Sequence, residues 1–280
     1  MIDPLSLLDD IAELPTLPAV IGQLNRLILD PRTSASTINN VLSRDMALSA
    51  KILKQVNSSF YGFPRRITTI TYAVVILGFS KIRDIALSAF VLDAFRFHAA
   101  GFDLRQFWRH ALAVAVSCQT LASISRDRRD DDAFMAGLLH DVGKAVLAQF
   151  RPLEFAEALR RARAEDRLLR EAEMELLDFD HARIGGALME RWNLPASLVA
   201  VVAGHHEPER AAAEHARLTA LTHFADILAR SLLLGHPGDA GLPTLSAEAW
   251  ETTGLSWRDV EGAIPDIQAR VNHSDSFFGA

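Results

Sequence analysis

The chain has 280 residues, of which 49% are hydrophobic, and its formal net charge at pH 7 is −6. This length can bury a full hydrophobic core, and the mild acidity does not indicate a nucleic-acid-binding surface. A single cysteine excludes an internal disulfide framework. The N-terminus lacks the basic segment of a signal peptide and no apolar run reaches the length of a membrane span, so we expect a cytoplasmic protein.

Apolar residues recur at helical spacing along the chain, and strand patterns are scarce, which predicts an all-α fold. The first part predicts helices over 18–29, 34–43, 46–56, 67–77 and 80–97, the last of them capped by Ser80. The second part predicts a helix from about 103, one beginning at Asp130 to Asp132, helices over 153–176, 180–192, 195–204 and 215–234, and an amphipathic tail over 245–272. The stretch 157–173 interleaves arginines with acidic residues, which favours a solvated helix face.

The segment AGLLHDVGKAVL, residues 136–147, places three ionisable side chains within an apolar run. On one continuous helix, Gly137, His140, Asp141 and Lys144 occupy positions i, i+3, i+4 and i+7 and form a narrow polar stripe. Burying a charge costs several kcal/mol unless a partner compensates for it. The segment therefore indicates either a solvent-exposed face or a site whose other members lie elsewhere in the chain.

Other histidines and a carboxylate also occur at apolar helical positions or at helix ends. These residues are His110, His181, His205, His206, His223 and Asp226. Neutral imidazoles combined with carboxylates suit iron, manganese, zinc or nickel better than calcium or magnesium. The pattern predicts a divalent transition-metal site inside a helical bundle, in which His223 is more typical of a packed histidine or of one that supports a ligand.

Two long segments, LPTLPAV and ILKQVNSSFYGFPRRITTITYAVVILGFSKIRDIAL, closely resemble the HDOD family, the HD-related output domains of bacterial signalling proteins. The resemblance covers about residues 14 to 235. It implies an HD-like helical core over 99–236 and an additional N-terminal helical lobe over 1–98. The amphipathic pattern that follows predicts a C-terminal tail over 237–280. The resemblance also implies a regulatory or protein-interaction role, with other signalling proteins as partners.

The order of His110, His140–Asp141 and Asp226 resembles the metal-ligand signature of the HD superfamily of phosphohydrolases. The extra histidines of the related HD-GYP cyclic-di-GMP phosphodiesterases map onto His181, His205 and His206. By this resemblance the site holds one metal ion, or two ions that share Asp141. Lys144 matches a lysine of those enzymes and is the candidate catalytic residue, in contact with a phosphate oxygen.

Two features distinguish the chain from the HD-GYP enzymes. Gln106 stands where some of them have a further acidic ligand, and the glycine-rich loop that helps them to bind substrate is absent. Three functions therefore stay open: a signalling module with a retained metal site, a metal-dependent phosphohydrolase acting on a nucleotide or cyclic dinucleotide, and an interaction scaffold with an empty site. The first is the function we expect, without a nucleic-acid partner.

Overall fold

The computed structural model describes residues 8–9, 11, 13–28, 30–97, 99–125, 131–239, 241–273 and 277. Within these residues the secondary structure is helical, and the only β interaction is an isolated bridge between Ala99 and Phe102. This confirms the predicted all-α class. None of the described helices has both the length and the apolar character needed to cross a bilayer. The chain forms two compact units, built on Pro15–Ala94 and on Phe95–Val271.

The unit built on Pro15–Ala94 has helices close to those that the sequence predicts. They are α1 (Ala19–Ile28), α2 (Ala35–Leu42), α3 (Met46–Val56), α4 (Ile70–Leu77) and α5 (Phe79–Ala94). Ser34, Asp45 and Thr69 cap α2, α3 and α4, since each side chain accepts a hydrogen bond from the backbone N–H three residues later. The predicted cap Ser80 is wrong, because Gly78, with φ of 82°, ends α4 and α5 begins at Phe79.

The unit built on Phe95–Val271 contains every residue predicted to form the metal site. Its helices are α6 (Leu104–Ile124), α7 (Ala133–Leu139), α8 (Val142–Phe150), α9 (Pro152–Ala164), α10 (Leu169–Leu177), α11 (His181–Arg191), α12 (Ala196–Gly204), α13 (Ala213–Ser231), α14 (Ala247–Thr253) and α15 (Trp257–Asn272). Helices α7 and α13 pack against α6, while α8 and α12 pack against α11. Asp130, one of the residues predicted to start the helix now labelled α7, lies outside the described residues.

The predicted helix over 153–176 and the predicted amphipathic tail are each divided in two. The segment 153–176 is divided into α9 and α10 by a turn in which Asp166 has φ of 50°. The tail is divided into α14 and α15 by Gly254, with φ of 69°. Trp250 and Trp257 stack on each other at 4.3 Å between ring centroids, and both rings contact Phe224 of α13. The tail helices therefore pack on the core of this unit.

The segment 136–147 is also interrupted, so the prediction of one polar stripe on one helix is wrong. His140 ends α7, and Asp141, with φ of −99° and ψ of 9°, precedes the first residue of α8. The chain bends at this point because α7 packs on α6 whereas α8 packs on α11. The bend places His140 and Asp141 at the junction of two helix pairs.

Candidate metal centre

The junction between α7 and α8 supplies the central pair of the site, His140 and Asp141, both fully buried. The Nδ1–H of His140 donates a hydrogen bond to the Gly137 carbonyl oxygen at 2.7 Å, since a carbonyl can only accept. This bond leaves the lone pair of His140 on Nε2, which lies 3.3 Å from Asp141 Oδ2. The local helix end therefore fixes both the tautomer and the direction of the ring.

Three histidines approach Asp141 from the ends of α11 and α12. His181 is the first residue of α11, and its Nε2 lies 3.1 Å from Asp141 Oδ1. His205 follows α12, donates Nδ1–H to the Val202 carbonyl oxygen at 3.0 Å and directs Nε2 to within 3.6 Å of Asp141 Oδ1. His206 Nε2 lies 2.8 Å from His181 Nε2. Irregular backbone at helix ends thus directs all three rings toward one carboxylate.

His110 and Asp226 come from the interiors of α6 and α13. His110 Nε2 lies 2.9 Å from Asp226 Oδ1, and His140 Nε2 lies 3.9 Å from the same oxygen. Both residues are buried. Of the predicted quartet, His110, His140 and Asp141 have ligand atoms that all lie close to one another, whereas Asp226 lies beside His110 and His140 but outside this group.

The candidate ligand atoms form two adjacent groups with Asp141 in common. One group is His110, His140 and Asp141, and the other is Asp141, His181, His205 and His206. Within each group the ligand atoms all lie within 4.8 Å of one another. A carboxylate has two oxygens, and those of Asp141 face different groups, with Oδ2 toward His140 and Oδ1 toward His181.

The donor atoms of the centre fit a divalent transition metal. His140 Nε2, Asp141 Oδ1 and His205 Nε2 are buried and have no hydrogen-bond partner among the described residues. Leaving such atoms unpaired costs about 1–3 kcal/mol each, so a group that bonds to all of them would stabilise the fold. Imidazole nitrogen with carboxylate oxygen is the donor set of iron, manganese, zinc and nickel.

The protonation states of the centre are shaped by burial and by its neighbours. The carboxyl pKa values of Asp141 and Asp226 lie well below the usual range, because nearby cationic and imidazole groups outweigh the effect of burial. Burial lowers the pKa of His205 to about 4. Burial acts in the same direction on His181, but Glu173 and Asp141 outweigh it and raise the pKa of His181 to about 9. The centre thus combines ionised carboxylates with a neutral His205.

Two further predicted residues lie beside the centre. The fully buried Lys144 donates from Nζ to Asp141 Oδ2 at 2.7 Å and to the Pro237 carbonyl oxygen at 3.2 Å. The predicted contact of Lys144 with a phosphate oxygen stays a prediction. His223 donates Nδ1–H to the carbonyl oxygen of His205 at 2.8 Å, so it supports the end of α12.

Two charged residues that the sequence does not single out, Glu173 and Arg230, hold candidate ligands in place. Glu173, assigned from sequence to a solvated helix face, is fully buried and accepts hydrogen bonds from the backbone N–H and Nδ1–H of His181 at 2.9 and 2.6 Å. Arg230 donates to Asp226 at 2.9 Å and to Asp239 at 2.5 Å. Glu173 is one acid among several in its stretch, so its sequence context carries no signal. Arg230 stands one helical turn after Asp226, a spacing that sequence reasoning can recognise.

Glycines at the helix contacts allow the ligand-bearing segments to approach closely. A Cβ on Gly137 would lie 2.6 Å from the backbone of Ala115 in α6, and one on Gly143 would lie 1.9 Å from the carbonyl oxygen of His181. A Cβ on Gly185 of α11 would lie 2.8 Å from Val202 of α12. Real Cβ atoms do not approach this closely, so these contacts require glycine. A glycine within a helical pattern is the sequence signal for such an approach.

Comparisons with known proteins agree with this architecture. A model of the HDOD domain family matches residues 14–208. An uncharacterized protein of Treponema pallidum (strain Nichols) is 30% identical over 230 residues, which are 81% of this chain but only 44% of that relative. The chain therefore spans less than half the length of this relative.

Solved structures show the same fold. An HDOD domain protein of unknown function from Geobacter sulfurreducens has a TM-score of 0.82 at 24% identity, covering 98% of this chain and 97% of that one. A protein from Marinobacter aquaeolei VT8, provisionally named a signal transduction protein, has a TM-score of 0.82 at 24% identity, covering 97% of this chain and 60% of that one. From the match of the family model to most of its length, the chain belongs to the HDOD domain family.

Proposed function

We propose that this HDOD chain is a bacterial signal-transduction module that acts through protein contacts and whose helical core binds a divalent transition metal. One observation carries the metal assignment: unpaired donor atoms of His140, Asp141 and His205 converge in a buried position. Iron, manganese, zinc or nickel suits this donor set. The inferred ligands of one ion are His110, His140, Asp141 and Asp226, and those of a second ion are Asp141, His181, His205 and His206.

A bound ion would supply positive charge that neutralises the buried carboxylates and, in an open site, would act as a Lewis acid. The protein's own part is to hold the donors in place. Backbone carbonyls fix the rings of His140 and His205, and the Glu173 carboxylate fixes that of His181. A histidine oriented in this way is a stronger ligand, because its acceptor raises the basicity of the other nitrogen.

The burial of the centre supports a structural or regulatory metal. His110, His140, Asp141, His181 and His205 are each at most 1% exposed, and His206 of the second donor group is partly buried. Structural metal sites are closed by protein ligands, whereas catalytic sites keep one position open to water or substrate. A closed centre that stabilises the helical core would set how rigidly the module presents its surface to a signalling partner.

The second candidate function is a metal-dependent phosphohydrolase acting on a nucleotide or cyclic dinucleotide. The observation that favours it is the sharing of Asp141 by two donor groups, an arrangement suited to a pair of metal ions. In such an enzyme Lys144 would contact a phosphate oxygen through the third N–H of its ammonium group, since Asp141 and Pro237 accept the other two. Our proposal of a signalling module includes three further points. The chain divides at residues 98 and 236, the protein is cytoplasmic, and it has no nucleic-acid partner.

Elemental analysis of the purified protein, combined with a phosphodiesterase assay, tests these functions. We expect about one or two equivalents of a transition metal in the wild type, and loss of that metal in Asp141→Ala. As a control, Asp266→Ala removes an exposed carboxylate of α15 and should retain the metal. Wild-type protein without transition metal after growth in metal-supplemented medium would refute the metal assignment. Turnover of cyclic-di-GMP by the wild type, abolished in Asp141→Ala, would establish the enzyme in place of the regulatory module.

A further inference from the structure

The segment 235–239, which follows α13, lies against the helices that carry the candidate ligands. A Cβ on Gly235 would lie 2.2 Å from the backbone nitrogen of His110. The backbone N–H of His236 donates to the Gln106 carbonyl oxygen at 3.0 Å. The next residues of the segment, from 237 to 239, are buried. The sequence of this segment is rich in glycine and proline, which is typical of a loop. In the structure the loop packs beside the candidate metal centre.

This segment binds both buried cations that contact the ligand carboxylates. Lys144 Nζ bonds to Asp141 Oδ2 at 2.7 Å and to the Pro237 carbonyl oxygen at 3.2 Å. Arg230 donates from Nε to Asp226 Oδ1 at 2.9 Å and from Nη1 to Asp239 Oδ1 at 2.5 Å. Each cation therefore divides its N–H donors between one ligand carboxylate and the segment.

The charges explain why an acidic residue in this segment matters. Asp141 and Asp226 face the cations Lys144 and Arg230, and these four charges alone would cancel. Asp239 adds a third carboxylate, which leaves the group with one negative charge. Opposite charges in a poorly solvated interior interact more strongly than in water. Without Asp239, the whole charge of Arg230 would act on Asp226 and would oppose a metal cation there.

We propose that Asp239 is a positioning residue of the metal centre: through Arg230 it orients the carboxylate of Asp226 and preserves the negative charge with which that carboxylate binds a cation. The inference rests on the proposed metal binding. Asp239 is 4% exposed and touches no candidate ligand itself, so its influence passes through the guanidinium of Arg230. Arg230 also donates to the Gly241 carbonyl oxygen at 2.8 Å, which fixes its plane.

Asp239 has a second contact that a test must preserve. Its Oδ2 accepts the backbone N–H of Leu169, the first residue of α10, at 2.5 Å. The variant Asp239→Asn keeps the shape of the side chain and one oxygen for Leu169, but removes the negative charge beside Arg230. A loss of metal affinity in a folded Asp239→Asn protein would therefore report the electrostatic role.

Titration of the chelator-treated 280-residue chain with Co²⁺ measures this role. We expect Asp239→Asn to bind Co²⁺ about 10- to 100-fold more weakly than the wild type, the usual effect of losing a group that orients a ligand. We also expect its visible Co²⁺ bands to shift, because the Asp226 carboxylate changes orientation. The matched control is Glu175→Gln, which removes a carboxylate that bridges Arg161 and Arg167 on the surface of the same unit. It should leave both the affinity and the spectrum unchanged.

Wild-type affinity and spectrum in folded Asp239→Asn would overturn the inference. If circular dichroism shows that this variant does not fold, Arg230→Lys decides, since lysine keeps the charge but lacks the planar guanidinium that presents Nε to Asp226 and Nη1 to Asp239. Weaker Co²⁺ binding by Arg230→Lys would support the inference, and wild-type binding would refute it. A wild-type protein that binds no Co²⁺ would instead refute metal binding itself and this inference with it.

Discussion

Replacing Gly143 with alanine tests whether close helix contact builds the metal centre. A Cβ at this position would lie 1.9 Å from the carbonyl oxygen of His181 and 2.7 Å from Ile184 Cγ2. A carbon and a carbonyl oxygen normally approach to about 3.3 Å, so α8 and α11 must separate by roughly 1.4 Å. Overpacking of this kind costs about 1–3 kcal/mol. We expect Gly143→Ala to lower the free energy of unfolding by about 3 kcal/mol, because a backbone oxygen cannot rotate away as a side chain can.

The same displacement would damage the donor geometry. His181 Nε2 lies 3.1 Å from Asp141 Oδ1, across the contact that Gly143 makes possible. Metal–ligand bonds tolerate deviations of only about 0.2 Å, so a shift of about 1 Å removes His181 from the ligand set. We therefore expect Gly143→Ala to lose more than about tenfold in metal affinity at the group that contains His181.

Urea unfolding followed by circular dichroism, with a parallel metal titration, measures both effects. A loss of about 3 kcal/mol corresponds to a fall in the urea midpoint of about 1–3 M, since m is about 1–3 kcal/mol/M. The matched control is Gly262→Ala in α15, where a Cβ would meet no atom within 4 Å. There the substitution should raise the free energy of unfolding by about 0.4–1 kcal/mol. Wild-type stability and metal affinity in Gly143→Ala would refute the reasoning from close contact.

Three further outcomes follow from the site and its surroundings. Glu173→Gln should weaken metal binding about 10- to 100-fold in a chelator-competition assay, because the carboxylate that orients His181 loses its charge; unchanged competition would contradict this role. Since the pKa of His181 in the metal-free protein is about 9, metal binding must displace a proton below that pH. The measured affinity should therefore rise with pH from 6.5 to 8.5, and a flat profile would count against His181 as a ligand. Leu233→Gly should raise the free energy of unfolding by up to about 1 kcal/mol, because Leu233 is 86% exposed and has φ of 55°; lower stability in urea would argue against strain at this residue.

The sequence predicts much of this fold because its local signals agree with the packing. Ser34 and Asp45 precede their helices as capping residues, and α3 has the predicted bounds. The helix positions of His110 and Asp226 are also as predicted. Periodicity does not reveal the bend between His140 and Asp141, because apolar residues continue at helical spacing on both sides of it. The bend depends on contacts with α6 and α11, which lie far away in the sequence.

The supporting residues of the centre are harder to predict than its candidate ligands. A histidine in an apolar helix stands out, whereas Glu173 resembles the exposed acids around it although it is fully buried in α10. Asp239 lies in a segment that composition alone identifies as a loop. Its contact with Arg230 requires the loop to return along α13, which no local pattern specifies. Local spacing in the sequence therefore does not identify residues whose role depends on a tertiary contact.

Anomalous X-ray diffraction from crystals of metal-loaded protein, recorded at the absorption edge of the bound metal, tests metal binding most directly. We expect an anomalous peak about 2.0–2.3 Å from His140 Nε2 and from a carboxylate oxygen of Asp141. A second peak beside His181 and His206 would show that both donor groups are filled. If crystals soaked in excess Zn²⁺ give anomalous peaks only at the surface, with none within bonding distance of Asp141, the proposed metal binding is wrong.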